Sequence, residues 1–475
     1  MRRFAVPLLA ALALLASLAG CGSKSSGSGL DTALDYVPKG APFVIAIDTN
    51  PDGGQWQQVN HLIAKFPFGG QVKGQFKNAF NARSGIDYDK DIKPLLGNDL
   101  VVAITGSSSS GGKTPYVLAW KVKDEAAAKR LIQSRPTNLA VVKDGVLVAA
   151  ESKPALDAVL NRAGGSDHMT EQDFTDALGG LPSDSLMRAT GNFQALLTGP
   201  QAAAARKVKW LNALRTFGVA LRAEPDGIEY AFKLKTDSGS LSPNELPLAA
   251  GALSPPVVKR PGEIGFGIRN PAQIVTFAQQ VAQITNPTGY GKYVRDKAKL
   301  SRQLGVDIDR DLIGQLTGNA SISVGLSGAV ALRADVRDPA AASKTLKKVA
   351  PRLVKIAKSR GKTAALSAPK NGQGFYALAE PNGKKIAFGV VGKSFILATD
   401  AARAAQFAGE SPSAVPGAKG SLVISSDARA LANAIAAQRG QGVAAQIVTG
   451  ALGDLVGSVE SETGAITGNL KLQIK

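Results

Sequence analysis

The chain has 475 residues, of which 44% are hydrophobic and 20% charged, a composition typical of a globular protein and not of an intrinsically disordered one. Its single cysteine excludes a disulfide framework, and its two histidines exclude a zinc site built on several histidines. The net charge of +19 favours anionic partners.

The first 20 residues have the form of a bacterial lipoprotein signal peptide. Two arginines precede an apolar run at 4–18, which is too short to span a membrane. The run ends in Leu18-Ala19-Gly20-Cys21, a lipobox whose cysteine thiol accepts a diacylglyceryl group. An ordinary secretory signal with a chance cysteine is the alternative. We expect a protein anchored by lipid at Cys21 to the extracytoplasmic face of the cell membrane.

This location narrows the choice of anionic partners. Lipid headgroups, a cell-wall polymer or another envelope protein are the expected partners, and nucleic acid is not. The predicted segments are a signal peptide at 1–20, a flexible Gly/Ser tether at 21–34, a first α+β repeat at 35–237, a Pro-rich connection at 238–260 and a second α+β repeat at 261–475.

The two repeats are predicted from matches within the sequence. Segment 85–97 recurs as 305–317, and an apolar run follows each copy. Four further matches keep the same order, and the second copy has extra residues near 361–385. They pair 47–51 with 268–271, 122–128 with 336–342, 146–151 with 395–400 and 217–235 with 456–474.

Each repeat mixes short strand-like runs with helical stretches. The β-branched runs at 43–48, 100–105, 116–122 and 146–150 are bounded by Gly, Pro or Asp, as strands are. Short turns join successive runs directly, which favours antiparallel pairing. The predicted fold class is α+β, with two related copies of a mainly antiparallel sheet whose helices cover one face.

Two aspartate triplets have the spacing that opens a calcium-binding loop. Alternate carboxylates could converge on a hard cation, but a calcium loop also needs Gly at its sixth place and Glu at its twelfth, and both are missing. The alternative is that the aspartates cap a short helix, where backbone N–H groups are unpaired. The calcium candidates are Asp87, Asp89, Asp91, Asp307, Asp309 and Asp311.

Other patterns that resemble catalytic sites lack essential parts. Segment 106–114 has one residue too many for a phosphate loop, and a strand-like run follows where a helix is needed, so a flexible hairpin loop is the alternative. Ser166, Asp167 and His168 are adjacent in sequence, which does not indicate a triad, and His61 is expected on a helix surface. We predict no catalytic residue and no cofactor, and we expect that the protein is not an enzyme.

Residues 340–360 are predicted to form an amphipathic helix, with Leu346, Val349 and Leu353 on one face and a kink at Pro351. Its basic residues, and those of a second cluster, have two interpretations. They are solvated helix faces, or they orient the anchored protein on anionic headgroups. The clusters are Lys344, Lys347, Lys348, Arg352, Lys355, Lys358 and Arg360, and Lys292, Arg295, Lys297, Lys299 and Arg302.

Three features together resemble one bacterial family. They are the lipobox, Tyr36-Val37-Pro38 before a strand ending at Asp48, and the Gly-x-Asp-x-Asp-x-Asp segment at 85–91 before an apolar strand. The chain is similar, over nearly all of its length after the signal, to domain of unknown function 3352, which occurs in exported proteins of Gram-positive and some other bacteria. The resemblance implies an envelope location and carries over no activity, cofactor or catalytic residue.

The leading functional hypothesis is a non-enzymatic, lipid-anchored envelope protein that binds another envelope component through the duplicated module. The alternative is a carrier of a lipid or another hydrophobic ligand, and a weaker alternative is an exported enzyme of unrecognised type. A continuous apolar channel would favour the carrier, whereas a flat exposed patch would favour partner binding.

Overall fold

The structure of the protein is a computed structural model. It describes residues 29–67, 69–106, 114–134, 139–197, 200–359, 364–369, 374–379, 385–438 and 449–475. The predicted signal peptide and Cys21 lie outside these residues.

The described chain forms two compact units. The first contains the described residues up to 197 with Leu214–Thr236 and Gln473–Lys475, and the second contains Pro200–Ala213 and Asp237–Leu472. The units differ from the predicted repeats at the last three residues and at 200–213, which the sequence places in the first repeat. In the second unit, Trp210 of this segment packs edge-on against Phe277, with ring centroids 6.0 Å apart.

The first unit is built from short strands and helices. Its strands are β1 Phe43–Ile47, β2 Leu100–Ile104, β3 Tyr116–Lys121, β4 Ala140–Lys143, β5 Val146–Ala150, β6 Met187–Asn192, β7 Leu214–Glu224 and β8 Gly227–Thr236. Its helices are α1 Gly29–Leu34, α2 Gly54–Ala64, α3 Gly69–Ser84, α4 Glu125–Ser134, α5 Lys153–Arg162, α6 Glu171–Leu178 and α7 Phe193–Leu196.

These strands pair antiparallel in the order β4-β5-β3-β2-β1-β6-β7-β8. Alternate strand residues such as Val44, Val101 and Val117 share a core with α1, α5 and α6, because side chains at every second position point to one face of a sheet. Leu100–Ala103 are all buried, as the continuous apolar run predicts.

Helix α1 corrects the predicted tether at 21–34. Leu30, Ala33 and Leu34 have no exposed surface and belong to the core of the first unit. Three apolar side chains within five residues provide enough burial to order this segment. The fold therefore begins by residue 29, before the predicted end of the tether.

The second unit contains the remaining elements. Its strands are β9 Glu263–Arg269, β10 Asn319–Gly325, β11 Val330–Asp335, β12 Ala365–Ser367, β13 Tyr376–Ala379, β14 Lys385–Val391, β15 Ser394–Ala398, β16 Leu422–Asp427, β17 Leu452–Ser461 and β18 Ala465–Ile474. Its helices are α8 Pro200–Ala205, α9 Lys209–Ala213, α10 Pro271–Thr285, α11 Pro287–Leu304, α12 Pro339–Ser359, α13 Ala401–Gly409 and α14 Ala428–Gln438.

The second sheet is antiparallel in the order β12-β13-β14-β15-β11-β10-β9-β16-β17. On one face, Ala331, Ile396 and Phe407 form a core between β11, β15 and α13. The Pro-rich connection packs into this unit, because Leu246 and Val257 are fully buried and Val257 forms a β-bridge with Ser413.

The order of strands confirms the predicted fold class of two related antiparallel copies. Strands β1, β2, β3, β4, β5, β6 and β7 occupy the same places as β9, β10, β11, β14, β15, β16 and β17. The hairpin of β12 and β13 is added beside β14, within the residues predicted to be extra in the second copy. The predicted helix at 340–360 is α12, with Pro351 inside it.

Candidate functional site

One face of the second sheet carries a continuous apolar row that crosses seven strands. Each residue of the row is the cross-strand partner of the next, so the side chains project from the same face. From β16 to β13, the row is Ile424, Phe266, Ile322, Leu332, Leu397, Phe388 and Tyr376.

Neighbouring positions on this face are apolar as well. Most side chains are half-buried, and Val330 and Leu397 are each 37% exposed. Contiguous partly exposed apolar surface of this kind marks interaction or ligand sites in soluble domains. We call it the open face, and its members are Ile264, Phe266, Ile268, Ile322, Val324, Val330, Leu332, Leu397, Leu422 and Ile424.

The corresponding row of the first unit is more fully buried. It contains Ala189, Val102 and Leu118, which are buried, and Ile45, which is half-buried, in the same register. Val102 and Leu118 are only 6% and 8% exposed, whereas Ile322 and Leu332, their counterparts, are half-buried. The positions on β2 and β3 are thus buried in the first copy, whereas those on β10 and β11 keep accessible surface in the second.

Side-chain size also differs between the copies in the next row. In the first unit, Leu100 pairs with Trp120, and both are buried. Their counterparts in the second unit are Ala320 and Ala334, which are buried as well, at 2% and 1%. This row is therefore closed in both copies, and the exchange of large side chains for small ones changes how it is filled and not whether it is exposed.

The helix that follows the first strand also differs between the copies. In the first unit, Trp56 and Leu62 of α2 are buried, and the Trp56 indole N–H donates to the Asp48 carbonyl at 2.9 Å. Helix α10 takes the equivalent place after β9 and is rich in apolar residues, yet none of them is buried. The second unit therefore retains accessible apolar surface on a helix as well as on its sheet.

Helix α12 covers one end of the apolar row. Leu346 and Ala350 pack on Phe388, which is 6% exposed, and Leu353 lies in the same cluster. The opposite side of α12 carries exposed lysines, and its C-terminal half packs on Leu304 of α11. The row is thus closed at β14 and open from β15 to β16.

The structure places the first aspartate triplet at a helical turn. Asp87 Oδ1 accepts the backbone N–H groups of Asp89 at 3.0 Å and Lys90 at 3.2 Å, and Asp91 Oδ2 accepts the N–H of Asp87 at 2.9 Å. The triplet at 307–311 repeats these hydrogen bonds at 2.9–3.0 Å. Among the described residues, no group of three His, Cys, Asp or Glu is arranged to hold a metal ion.

Among the described residues, Ser166, Asp167 and His168 do not form a hydrogen-bonded triad. His168 Nε2 lies 3.2 Å from Asp35 Oδ1, and its Nδ1 lies 2.6 Å from the Gly165 carbonyl, so its ring nitrogens contact neither Ser166 nor Asp167. His61 is exposed on α2. The loop at 107–113 lies outside the described residues, and its flanking strands β2 and β3 are antiparallel partners.

A carboxylate cluster in the first unit is a feature that sequence reasoning missed. Burial raises the pKa of Asp48 to about 6, and the nearby carboxylates of Asp99 and Asp184 add to the rise, while the Asn50 N–H and Arg188 oppose it. Asp99 and Arg188 form a largely buried ion pair at 3.1 Å. Because Asp99 and Asp184 are distant from Asp48 in sequence, no local motif indicates this cluster.

The open face was also absent from the predictions, because both copies have mainly apolar residues at these strand positions. One sequence difference between the copies is the exchange of Leu100 and Trp120 for Ala320 and Ala334, and it can be recognised only once the strand register is known.

Within the described chain, no helix has both the length and the apolarity needed to cross a bilayer.

Comparison with known proteins gives few matches. No curated protein matches the chain. Among solved structures, crystal form III of TP0453 is similar at 14% identity and a TM-score of 0.24, over 45% of this chain and 81% of TP0453. Crystal form IV gives 15% identity and the same TM-score, over 44% and 83%. Similarity at this level does not establish a shared fold.

A family model matches residues 4–138, which end in the first unit, whereas the sequence resemblance was expected over nearly the whole chain after the signal. The matched residues include Tyr36-Val37-Pro38 and the Gly-x-Asp-x-Asp-x-Asp segment. Over residues 4–138 the chain is similar to the family described as Protein of unknown function (DUF3352), which supports the resemblance identified from the sequence.

Proposed function

We propose that the protein is a non-enzymatic carrier of a lipid or another hydrophobic ligand, and that the ligand binds to the open face of the second unit. The observation that carries this proposal is the contrast between the two copies. Val102 and Leu118 are sealed in the first sheet, while their counterparts Ile322 and Leu332 keep accessible surface. Accessible apolar surface costs about 25 cal/mol per Å², and a hydrophobic ligand would recover that free energy.

We choose a ligand over a protein partner, which was the leading hypothesis from the sequence, because most members of the open face are partly shielded. Val330 and Leu397 are 37% exposed, and the other members are half-buried. Ligand sites are lined by apolar side chains that are largely removed from water, whereas protein interfaces need a wide exposed surface.

The proposed carrier acts at the membrane. A diacylglyceryl group on Cys21 would hold it at the extracytoplasmic face, and the residues before Gly29 would link the anchor to the folded units. A carrier needs no catalytic group, in keeping with the sequence expectation of a non-enzymatic protein.

The first test is to express the chain from Gly22 in bacteria, purify it, and measure bound small molecules by native mass spectrometry. A chain that begins at Gly22 contains every described residue and lacks the covalent anchor, so any lipid retained by it is a ligand. We expect about one hydrophobic molecule per chain. A chain that is empty, and that does not bind a dansyl-labelled fatty acid, would contradict the carrier proposal and return attention to a protein partner.

The second test places a polar group on the open face. Leu397→Gln should weaken binding of the dansyl-labelled fatty acid roughly tenfold, because the ligand loses contact with one leucine side chain. Leu196→Gln is the matched control, since Leu196 is a similarly exposed leucine of the first unit, at 44%. Equal affinities of the two variants would place the ligand elsewhere.

A further inference from the structure

We propose that helices α11 and α12 form a docking surface for an anionic phospholipid bilayer. This inference concerns a different surface from the open face and does not depend on the carrier function. The lipid at Cys21 would bring the protein to the membrane, and the two helices would set the orientation of the second unit upon it.

Helix α11 has the composition of a helix that lies at a membrane interface. Of its 18 residues, only Leu304 is buried, so nearly the whole helix surface is accessible. Tyr293 and Val294 are 41% and 40% exposed, and they stand between the exposed cations Lys292 and Arg295. Tyrosine beside lysine and arginine suits the boundary between headgroups and acyl chains, where one part of the surface is apolar and the other charged.

Helix α12 adds positive charge without acidic residues of its own. Lys344, Lys347, Lys348 and Lys355 are exposed, and the helix sequence contains neither Asp nor Glu. Its contact with α11 is made by apolar side chains of the cluster that includes Leu304, Val306 and Val349. The packing of the two helices therefore uses none of their lysines.

Two neighbouring carboxylates are already engaged by other cations, and α11 itself carries one exposed carboxylate, Asp296. Asp309 pairs with Lys297 at 2.6 Å, and Asp311 pairs with Arg310 at 2.7 Å, with Lys348 close enough to Asp311 to lower its pKa further. Within the described residues, the positive surface is thus only partly neutralised. A bilayer complements it better than a soluble polyanion does, because only a bilayer also offers an apolar layer to Tyr293 and Val294.

The test is sedimentation of the chain that begins at Gly22 with vesicles of phosphatidylglycerol and phosphatidylcholine in equal parts, and with vesicles of phosphatidylcholine alone. We expect binding to the anionic vesicles only, which weakens as salt is raised from 0.05 to 0.5 M in the usual way for electrostatic attraction. The triple variant Lys344→Gln, Lys347→Gln, Lys348→Gln should lose about tenfold to 100-fold in vesicle affinity, since each cation near such a surface contributes up to about fivefold.

Two controls make the result specific. The triple variant Lys90→Gln, Lys93→Gln, Lys123→Gln removes the same charge from exposed positions of the first unit and should keep its vesicle affinity. Tyr293→Ala should weaken vesicle binding several-fold but leave binding to soluble polyglutamate unchanged. Equal loss in the two triple variants, or binding to polyglutamate as tight as to vesicles, would overturn the proposal. Fatty-acid binding by the Lys344 triple variant should be unchanged, which separates this test from that of the open face.

Discussion

Asp48 couples the stability of the first unit to pH through its raised pKa. Its unfolded pKa of 3.8 rises to about 6 on folding, so between these values the folded chain binds more protons than the unfolded chain. The free energy of unfolding therefore falls as pH rises through this window. Above it, the charged Asp48 carboxylate costs up to about 3 kcal/mol of stability.

Asp48→Asn should remove this cost. The amide oxygen of asparagine can keep the hydrogen bond from the Asn50 N–H, which is 2.7 Å long in the protein. We expect the free energy of unfolding at pH 7.5 to rise by about 1–2 kcal/mol, with little change at pH 4, in urea denaturation followed by tryptophan fluorescence. Asp167→Asn, at a side chain 82% exposed, is the control and should have no effect. A less stable Asp48→Asn variant at pH 7.5 would contradict this assignment.

Residue roles that depend on local sequence could be predicted, and those that depend on tertiary neighbours could not. The Asp87 side chain accepts N–H groups two and three residues ahead, so the spacing alone indicates a cap. The ionisation of Asp48 depends on Asp99 and Asp184, which only the folded sheet brings near. Sequence reasoning therefore identified the helix caps and missed the buried carboxylates.

Among the secondary-structure elements, helices α2 and α10 should respond differently to the loss of an aromatic side chain. Trp56 is 1% exposed, so Trp56→Ala should leave a cavity and lower the free energy of unfolding by about 3–5 kcal/mol. Phe277 of α10 is half-buried, and Phe277→Ala should cost only about 1 kcal/mol. Urea denaturation of both variants measures this difference. Costs of similar size would mean that α10 is docked as firmly as α2.

Strands and helices with clear periodicity were predicted to within about one residue. The run at 43–48 forms β1 Phe43–Ile47, and the amphipathic pattern at 340–360 forms α12. The hairpin of β12 and β13 was not predicted, because its strands are short and lack strong alternation. The incomplete burial of the apolar residues of α10 was not predicted either, since an apolar helix has the same sequence pattern whether or not it is packed.

The duplication could be read from the whole sequence, because five matches in the same order reflect one order of strands. The boundary of the second unit could not, since residues 200–213 belong with Phe277, which follows them by more than 60 positions. The difference in side-chain size between the copies was hidden for a related reason. Ala320 and Ala334 are ordinary strand residues until the register shows that they occupy the positions of Leu100 and Trp120.

At the scale of the whole molecule, a ligand on the open face should stabilise one unit and not the other. A ligand that binds only the folded second unit adds about 2.7 kcal/mol at a concentration 100 times its Kd. With the dansyl-labelled fatty acid, we expect hydrogen exchange to slow by up to about 100-fold in β9, β10 and β11 and to stay unchanged in β1, β2 and β3. Mass spectrometry of peptides from each strand measures both sets in one experiment.

The variant Leu397→Gln supplies the internal control for that experiment. Without ligand, its hydrogen-exchange rates should equal those of the unchanged protein. At equal ligand concentration, its exchange should slow much less than that of the unchanged protein. Protection that spreads equally over both units would mean that the ligand binds to a surface they have in common, which the sealed row at Val102 and Leu118 argues against. Selective protection of the second sheet would instead assign the two copies different tasks, one structural and one in binding.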